Sequence, residues 1–115
     1  MIHSTAFQFD QETPWQDVGG GIQRKLFGYD DKIMLVKVQF EAGAIGAMHN
    51  HHHSQVTYVE SGIFDMTIGE ETKRISTGDA YYVLPHVMHG ITCIEPGVLI
   101  DVFSPLREDF LPATS

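Results

Sequence analysis

Six of the seven histidines in this 115-residue chain fall into two groups, His49, His51, His52 and His53, and then His86 and His89. Neutral imidazole is a ligand for divalent first-row metals, so clustering of this kind points to a metal centre. On an extended strand residues of like parity share a face, and His49, His51 and Gln55 would aim two imidazoles and one amide oxygen at a single point. A fourth ligand must come from elsewhere. His89 follows a separate β-rich run and a turn at Pro85, and a closed sheet would carry it across to the same point. Three neutral imidazoles suit zinc, nickel, iron, manganese or copper, with the remaining positions held by water or substrate. The competing reading is a solvated His-rich loop with incidental metal affinity.

Near the C-terminus, Val98, Ile100 and Val102 form one apolar face of a strand, while Leu99, Asp101 and Phe103 form the other. A carboxylate there interrupts an otherwise apolar row, which marks Asp101 as a candidate general acid or base or, alternatively, as a solvent-facing or paired residue. Burial would raise its pKa and a nearby metal would lower it. Arg107 is one of only three arginines. Its planar fork either grips a substrate carboxylate through two parallel hydrogen bonds or pairs on the surface with Glu108 or Asp109. Phe103 shares the parity of Asp101 and packs against a substrate or in the core. His53 has ligand parity but no assigned role, and His86 is expected to be exposed. Tyr58, Tyr81 and Tyr82 read as packing residues, with one hydroxyl open to the cavity as the alternative. Met34, Met48, Met66 and Met88 read as core filling.

Short alternating runs punctuated by Gly, Asp and Pro must position these groups, and no sustained 3.6-residue periodicity appears. Met34, Val36, Val38 and Phe40 share one face, with Lys37, Gln39 and Glu41 opposite. Ile22 to Phe27 reaches that run through the turn Gly28-Tyr29-Asp30-Asp31, and Gly43 to Gly46 breaks it. Phe64, Met66 and Ile68 alternate up to Gly69-Glu70-Glu71, and Lys73 to Ile75 returns towards Gly78-Asp79. Tyr81 to Leu84 and Val98 to Phe103 supply two further runs, the second preceded by a loop at Glu95-Pro96-Gly97. Gly19-Gly20-Gly21 reads as a turn, since no Lys-Ser/Thr pair or helix follows to make a phosphate loop. The sum is an all-β jelly roll or barrel in one domain, residues 1–115, with an N-terminal arm over about 1–20, a barrel over about 21–104 and a C-terminal arm over about 105–115. Leu106 to Leu111 forms a helical turn or an arm, and Pro112 to Ser115 is expected to fray.

Composition narrows the partners. With 43% hydrophobic and 19% charged residues the chain can bury a core without staples. Seven basic against fifteen acidic residues leave a net charge of −8, which disfavours nucleic acid and anionic membranes. A small anionic substrate remains compatible, because one local cation outweighs a diffuse field at contact distance. The single cysteine, Cys93, excludes an intramolecular disulfide, and Met1-Ile2-His3-Ser4-Thr5 has no basic region leading an apolar core, so the expected location is cytoplasmic.

The stretch Gly43-x5-His49-x-His51-x3-Gln55-x6-Gly62 resembles the first cupin motif in every spacing, with Gln55 where most members carry Glu. A frame built on His51 and His53 fails, because Thr57 then stands in the third ligand position. The second motif is looser: Gly78 and His89 are in phase, while Leu84, His86 and Cys93 replace Pro, Gly and Asn. Trp15-x-Asp17-Val18-Gly19-Gly20-Gly21, Tyr58-Val59-Glu60-Ser61-Gly62 and Asp101-Val102-Phe103-Ser104-Pro105-x-Arg107-Glu108-Asp109-Phe110-Leu111 look like the KdgF family of pectin-degradation cupins. That resemblance implies a cupin barrel and one divalent metal ion held by His49, His51, Gln55 and His89. It implies a site containing Asp101, Phe103 and Arg107, and a homodimer. The implied activity converts 4,5-unsaturated monouronates from pectin or alginate into linear 5-keto-4-deoxyuronate without redox change. The alternatives in view are an iron-dependent cupin dioxygenase and a non-catalytic sugar-acid-binding cupin.

Overall fold

Alternation sets the architecture of this computed structural model, which describes residues 2–112. Eight strands follow in order: β1 (Gln16–Gly19), β2 (Ile22–Tyr29), β3 (Met34–Phe40), β4 (Ile45–His49), β5 (Ser54–Ile68), β6 (Glu71–Ser76), β7 (Ala80–Val83) and β8 (His89–Ser104). Single 3-10 turns occupy Asp10–Glu12 and Glu108–Phe110. The second is the helical turn expected within Leu106 to Leu111. The expected fraying at the C-terminus falls, from residue 113 onward, outside the described residues. β1 lies inside the expected N-terminal arm and pairs with β2 across the glycine turn, where Gly19, Gly20 and Gly21 all take positive φ.

All pairings are antiparallel, and the two long strands organise them. The first half of β5 pairs with β7 and with the second half of β8, which also pairs with β3, continuing to β2 and β1. The second half of β5 pairs with β6 and with the first half of β8, which also pairs with β4. Two sheets therefore share two bent strands, the arrangement of a jelly roll. The bend falls at Ser61–Gly62 and Glu95–Gly97. There the expected loop Glu95-Pro96-Gly97 turns out to lie within β8, because the strand bends without ending. Gly62, at φ 93°, has its α carbon so close to Gly97 that a Cβ added to it would stand 2.6 Å from the Gly97 Cα, so only glycines allow the two backbones to pass.

The core lies between the sheets. Phe40, Ala44, Val59, Phe64, Cys93 and Leu99 form one buried cluster, and Met34, Val36, Phe103 and Leu106 a second. Phe40 and Phe64 meet edge to face with ring centroids 5.3 Å apart, a contact worth about 1 kcal/mol beyond the area it buries. Met34 and Met66 fill the core as expected, but Met48 and Met88 are exposed beside the histidine cluster, where the Met88 sulfur accepts a hydrogen bond from Asn50. Tyr58 and Tyr82 likewise correct the packing expectation. They stand half exposed on the outer face of β5 and β7, because their parity is opposite to that of the buried Thr57, Val59 and Val83.

Candidate functional site

The histidines converge, although not as one strand. β4 ends at His49, residues 50–53 form a bend, and β5 begins at Ser54, so His49, His51 and Gln55 do not share a strand face. Sheet register and a loop bring them together instead. His89 opens β8 directly opposite His49, and His51 leans in from the bend, its backbone carbonyl accepting a hydrogen bond from the His86 amide at 2.8 Å. His49, His51 and His89 each present a potential ligand atom, and these atoms all lie within 4.8 Å of one another. His86 holds φ 68°, the left-handed conformation for which glycine is the usual choice, and is exposed as expected. His53 is buried behind His51, edge to face with it at 5.3 Å and packed against His52 and Phe103, and is not one of the three converging ligands.

The hydrogen bonding of the three imidazoles has one pattern. Each Nδ1 lies against a backbone carbonyl: His49 on Ala47 at 2.7 Å, His51 on His53 at 3.0 Å and His89 on Val87 at 2.9 Å. An Nδ1 that donates leaves Nε2 as a bare lone pair, the form required of a metal ligand. Burial lowers the pKa of His51 and His89 and keeps both rings neutral. His89 Nε2 is buried with no partner, and His51 Nε2 faces the Gln55 Oε1 at 3.0 Å, acceptor against acceptor. Lone pairs so placed are satisfied by a cation between them, and the residues present therefore fit a divalent metal.

Gln55 continues inward. Its Nε2 donates to Thr57 Oγ1 at 3.0 Å, and the Thr57 hydroxyl donates to Asp101 Oδ1 at 2.6 Å. Gln55, Thr57 and Asp101 are all buried, and Thr57 stands opposite Asp101 in the β5–β8 register. Burial pushes the Asp101 carboxyl up to about 6, against the opposing pull of the Thr57 hydroxyl, the Arg107 charge and Gln55. The Tyr81 phenol beside it is held protonated by burial and by the Asp101 charge. Tyr81 is the tyrosine that faces the cavity.

Gln55, Asp101 and Tyr81 line a cavity of about 260 Å³ together with His49, His89, Phe103, Arg107, Phe110 and Arg24. Arg107 makes the expected pair with Asp109 and also stands at the cavity wall. The pair has two bonds, Nε at 3.1 Å and Nη2 at 3.0 Å. Its guanidinium lies over Phe103 and Phe110, and Arg24 lies over Phe110 at 3.9 Å from the ring centroid. Phe103 is therefore core and cavity wall at once. Arg24, Thr57 and Phe110 were not among the residues singled out from sequence. Arg24 had a legible signal: Ile22, Arg24 and Leu26 share parity on β2, so a cation interrupts an inward face as Asp101 does on β8. Thr57 had none without the strand register.

A cupin domain model matches residues 36–103. The chain is 48% identical over 104 residues, 89% of its length and 94% of the other, to the pectin degradation protein KdgF of Dickeya dadantii (strain 3937). Among solved structures, an RmlC-like cupin from Shewanella frigidimarina NCIMB 400 superposes with TM-score 0.94 at 44% identity, covering 96% of this chain and all of that one. The structure of KdgF from a Halomonas species gives TM-score 0.90 at 42% identity, covering 94% and 100%.

Proposed function

This chain belongs to the cupin family and, within it, to the KdgF family; from that premise we propose that it opens and ketonises 4,5-unsaturated monouronates released from pectin or alginate, yielding linear 5-keto-4-deoxyuronate. The observation that carries this reading is a buried carboxyl, Asp101, sharing one small cavity with His49, His89 and two guanidinium groups, with His51 completing the imidazole cluster beside it. The cavity is smaller than those that hold drug-sized ligands, roughly 300 Å³ and above, and suits a single sugar ring.

The reaction moves protons and no electrons. The C1 hydroxyl loses a proton as the bond from C1 to the ring oxygen breaks, leaving an aldehyde and an enol; a proton then adds at C4 and leaves the enol oxygen to give the ketone. Asp101, with its carboxyl raised to about 6, both accepts and returns a proton near neutral pH. Arg24 and Arg107 bind and orient the substrate carboxylate, Arg107 held in place by Asp109. Phe103 and Phe110 wall the ring and exclude water. His49, His51, His89 and Gln55 hold a divalent metal, which when bound supplies Lewis-acid polarisation of a substrate oxygen.

The protein is further proposed to act in the cytoplasm as a homodimer, the second copy covering the apolar outer face of β5 and β7. Among the described residues no helix is long and apolar enough to cross a membrane.

A coupled time course tests the activity. A pectate lyase and an oligouronate hydrolase generate the unsaturated monouronate, and its enol absorbance is followed under controlled oxygen. Faster decay with this protein, without oxygen uptake and with the linear ketone as product, is the expected result. Decay at the buffer rate in metal-replete protein refutes the assignment, and stoichiometric oxygen uptake replaces it with a dioxygenase.

A further inference from the structure

With Asp101 ionised, as at pH 8, the hydrogen bonds behind Gln55 have only one consistent direction. A carboxylate can only accept, so the Thr57 hydroxyl spends its single proton on Asp101, at 2.6 Å. The same oxygen must then accept from Gln55, and only the amide nitrogen of Gln55 can donate, at 3.0 Å. The amide oxygen is thereby turned towards His51 and the three-histidine centre. An amide is otherwise nearly symmetric in shape. With its ends exchanged it would present two N–H groups to that centre and none of its lone pairs.

We propose that Thr57 is a positioning residue whose hydroxyl polarises the buried row Asp101–Thr57–Gln55, selecting the amide orientation in which Gln55 offers oxygen to the metal. A glutamate in place of Gln55 would need no such device, because either carboxylate oxygen ligates equally well. Thr57 is the element that makes a glutamine serviceable at this position. Asp101 favours the same end of the amide, since Gln55 also pulls on its carboxyl; Thr57 is the residue that holds that end directly, at 3.0 Å, while His51 faces the other. The inference rests on the metal-binding reading of the centre and is independent of which substrate enters.

The test is calorimetric titration of chelator-treated protein with zinc ions at pH 8. Thr57→Val is expected to lower zinc affinity about 10- to 100-fold, the range for loss of a partner that orients a ligand. Thr57→Ser, which keeps the hydroxyl, should stay within about twofold of the parent. In a Gln55→Glu background the penalty of Thr57→Val should shrink to about twofold, the scatter of non-interacting sites. Equal losses in both backgrounds would show a packing role and overturn the proposal, as would a Thr57→Val protein that binds zinc like the parent. A parent that binds no zinc refutes the centre itself. Nuclear Overhauser contacts of the Gln55 side-chain amide in the unmodified protein give a second reading independent of how the variants fold. Contacts to Thr57 support the proposal, and contacts to the His51 ring in their place overturn it.

Discussion

Asp101 couples stability to chemistry through burial. Its carboxyl is raised in the folded chain to about 6 and returns to about 4 on unfolding, so the native state holds this proton more tightly. In metal-free protein the stability attributable to Asp101 is therefore lost as pH rises from about 4 to about 6, by on the order of 2–3 kcal/mol. Asp101→Asn removes that slope. The variant is expected to unfold at higher urea than the parent at pH 7.5 and at similar urea at pH 4, while uronate conversion drops about 100- to 10,000-fold. A variant less stable than the parent at pH 7.5, or one that keeps full activity, contradicts the assignment. Arg24 supplies a second residue-level expectation. Burial disfavours its charge, and it has no carboxylate within ion-pair distance among the described residues, whereas Arg107 is engaged by Asp109. Arg24→Gln should raise KM about 10- to 100-fold and change kcat little, as steady-state kinetics on the monouronate will read; an unchanged KM removes Arg24 from the carboxylate grip.

At the level of elements, the site depends on two features of the long strands. The crossing of β5 and β8 is a glycine contact, and a Cβ on Gly97 would stand 2.1 Å from the Ser61 carbonyl oxygen. Backbone meets backbone there, so no side-chain rotation relieves the clash. Gly97→Ala is expected to cost about 3 kcal/mol or more in chemical denaturation; a change below about 1 kcal/mol would mean that the bend can open. The turn from β7 to β8 carries the other feature. His86 occupies left-handed backbone immediately before the segment that delivers His89, and its amide anchors the His51 bend. His86→Gly should be neutral or stabilising by up to about 1 kcal/mol, and His86→Val destabilising by about 1–2 kcal/mol, in thermal melts. Destabilisation by Gly would show that the imidazole makes a contact worth more than the backbone strain.

The molecule as a whole separates its charges and leaves one face unpartnered. Two of the three arginines line the cavity while the chain as a whole is acidic, so the cavity carries local positive charge within a negative shell. Val56, Tyr58, Tyr82 and Leu84 are each at least half exposed on the outside of β5, β7 and the turn beyond, and Val56 pairs with Tyr82 across the strands. Exposed apolar area gathered in this way marks an association surface. A second copy seated on it predicts light-scattering mass of twice the chain at micromolar concentration and half that for Tyr58→Glu with Leu84→Glu; a monomeric parent refutes the dimer.

By itself the sequence determined the β alternation, the inward row of Leu99, Asp101 and Phe103, and the residue types of the three-histidine cluster, because these depend on local parity and side-chain chemistry. Motif spacing picks out His49, His51, Gln55 and His89 as neighbours, although they share no strand face, because residues 50–53 form a bend between β4 and β5. Tertiary structure alone decided how they meet, through the His49–His89 register and the His86 anchor. It alone decided that Thr57 faces Asp101, that Arg24 shares the cavity with Arg107, and that Met48 and Met88 lie outside the core. The physical reason is common to all of these. Parity tells which residues share a face of one strand, whereas register, bends and bulges between distant strands depend on the packing of the whole sandwich, which no local pattern encodes.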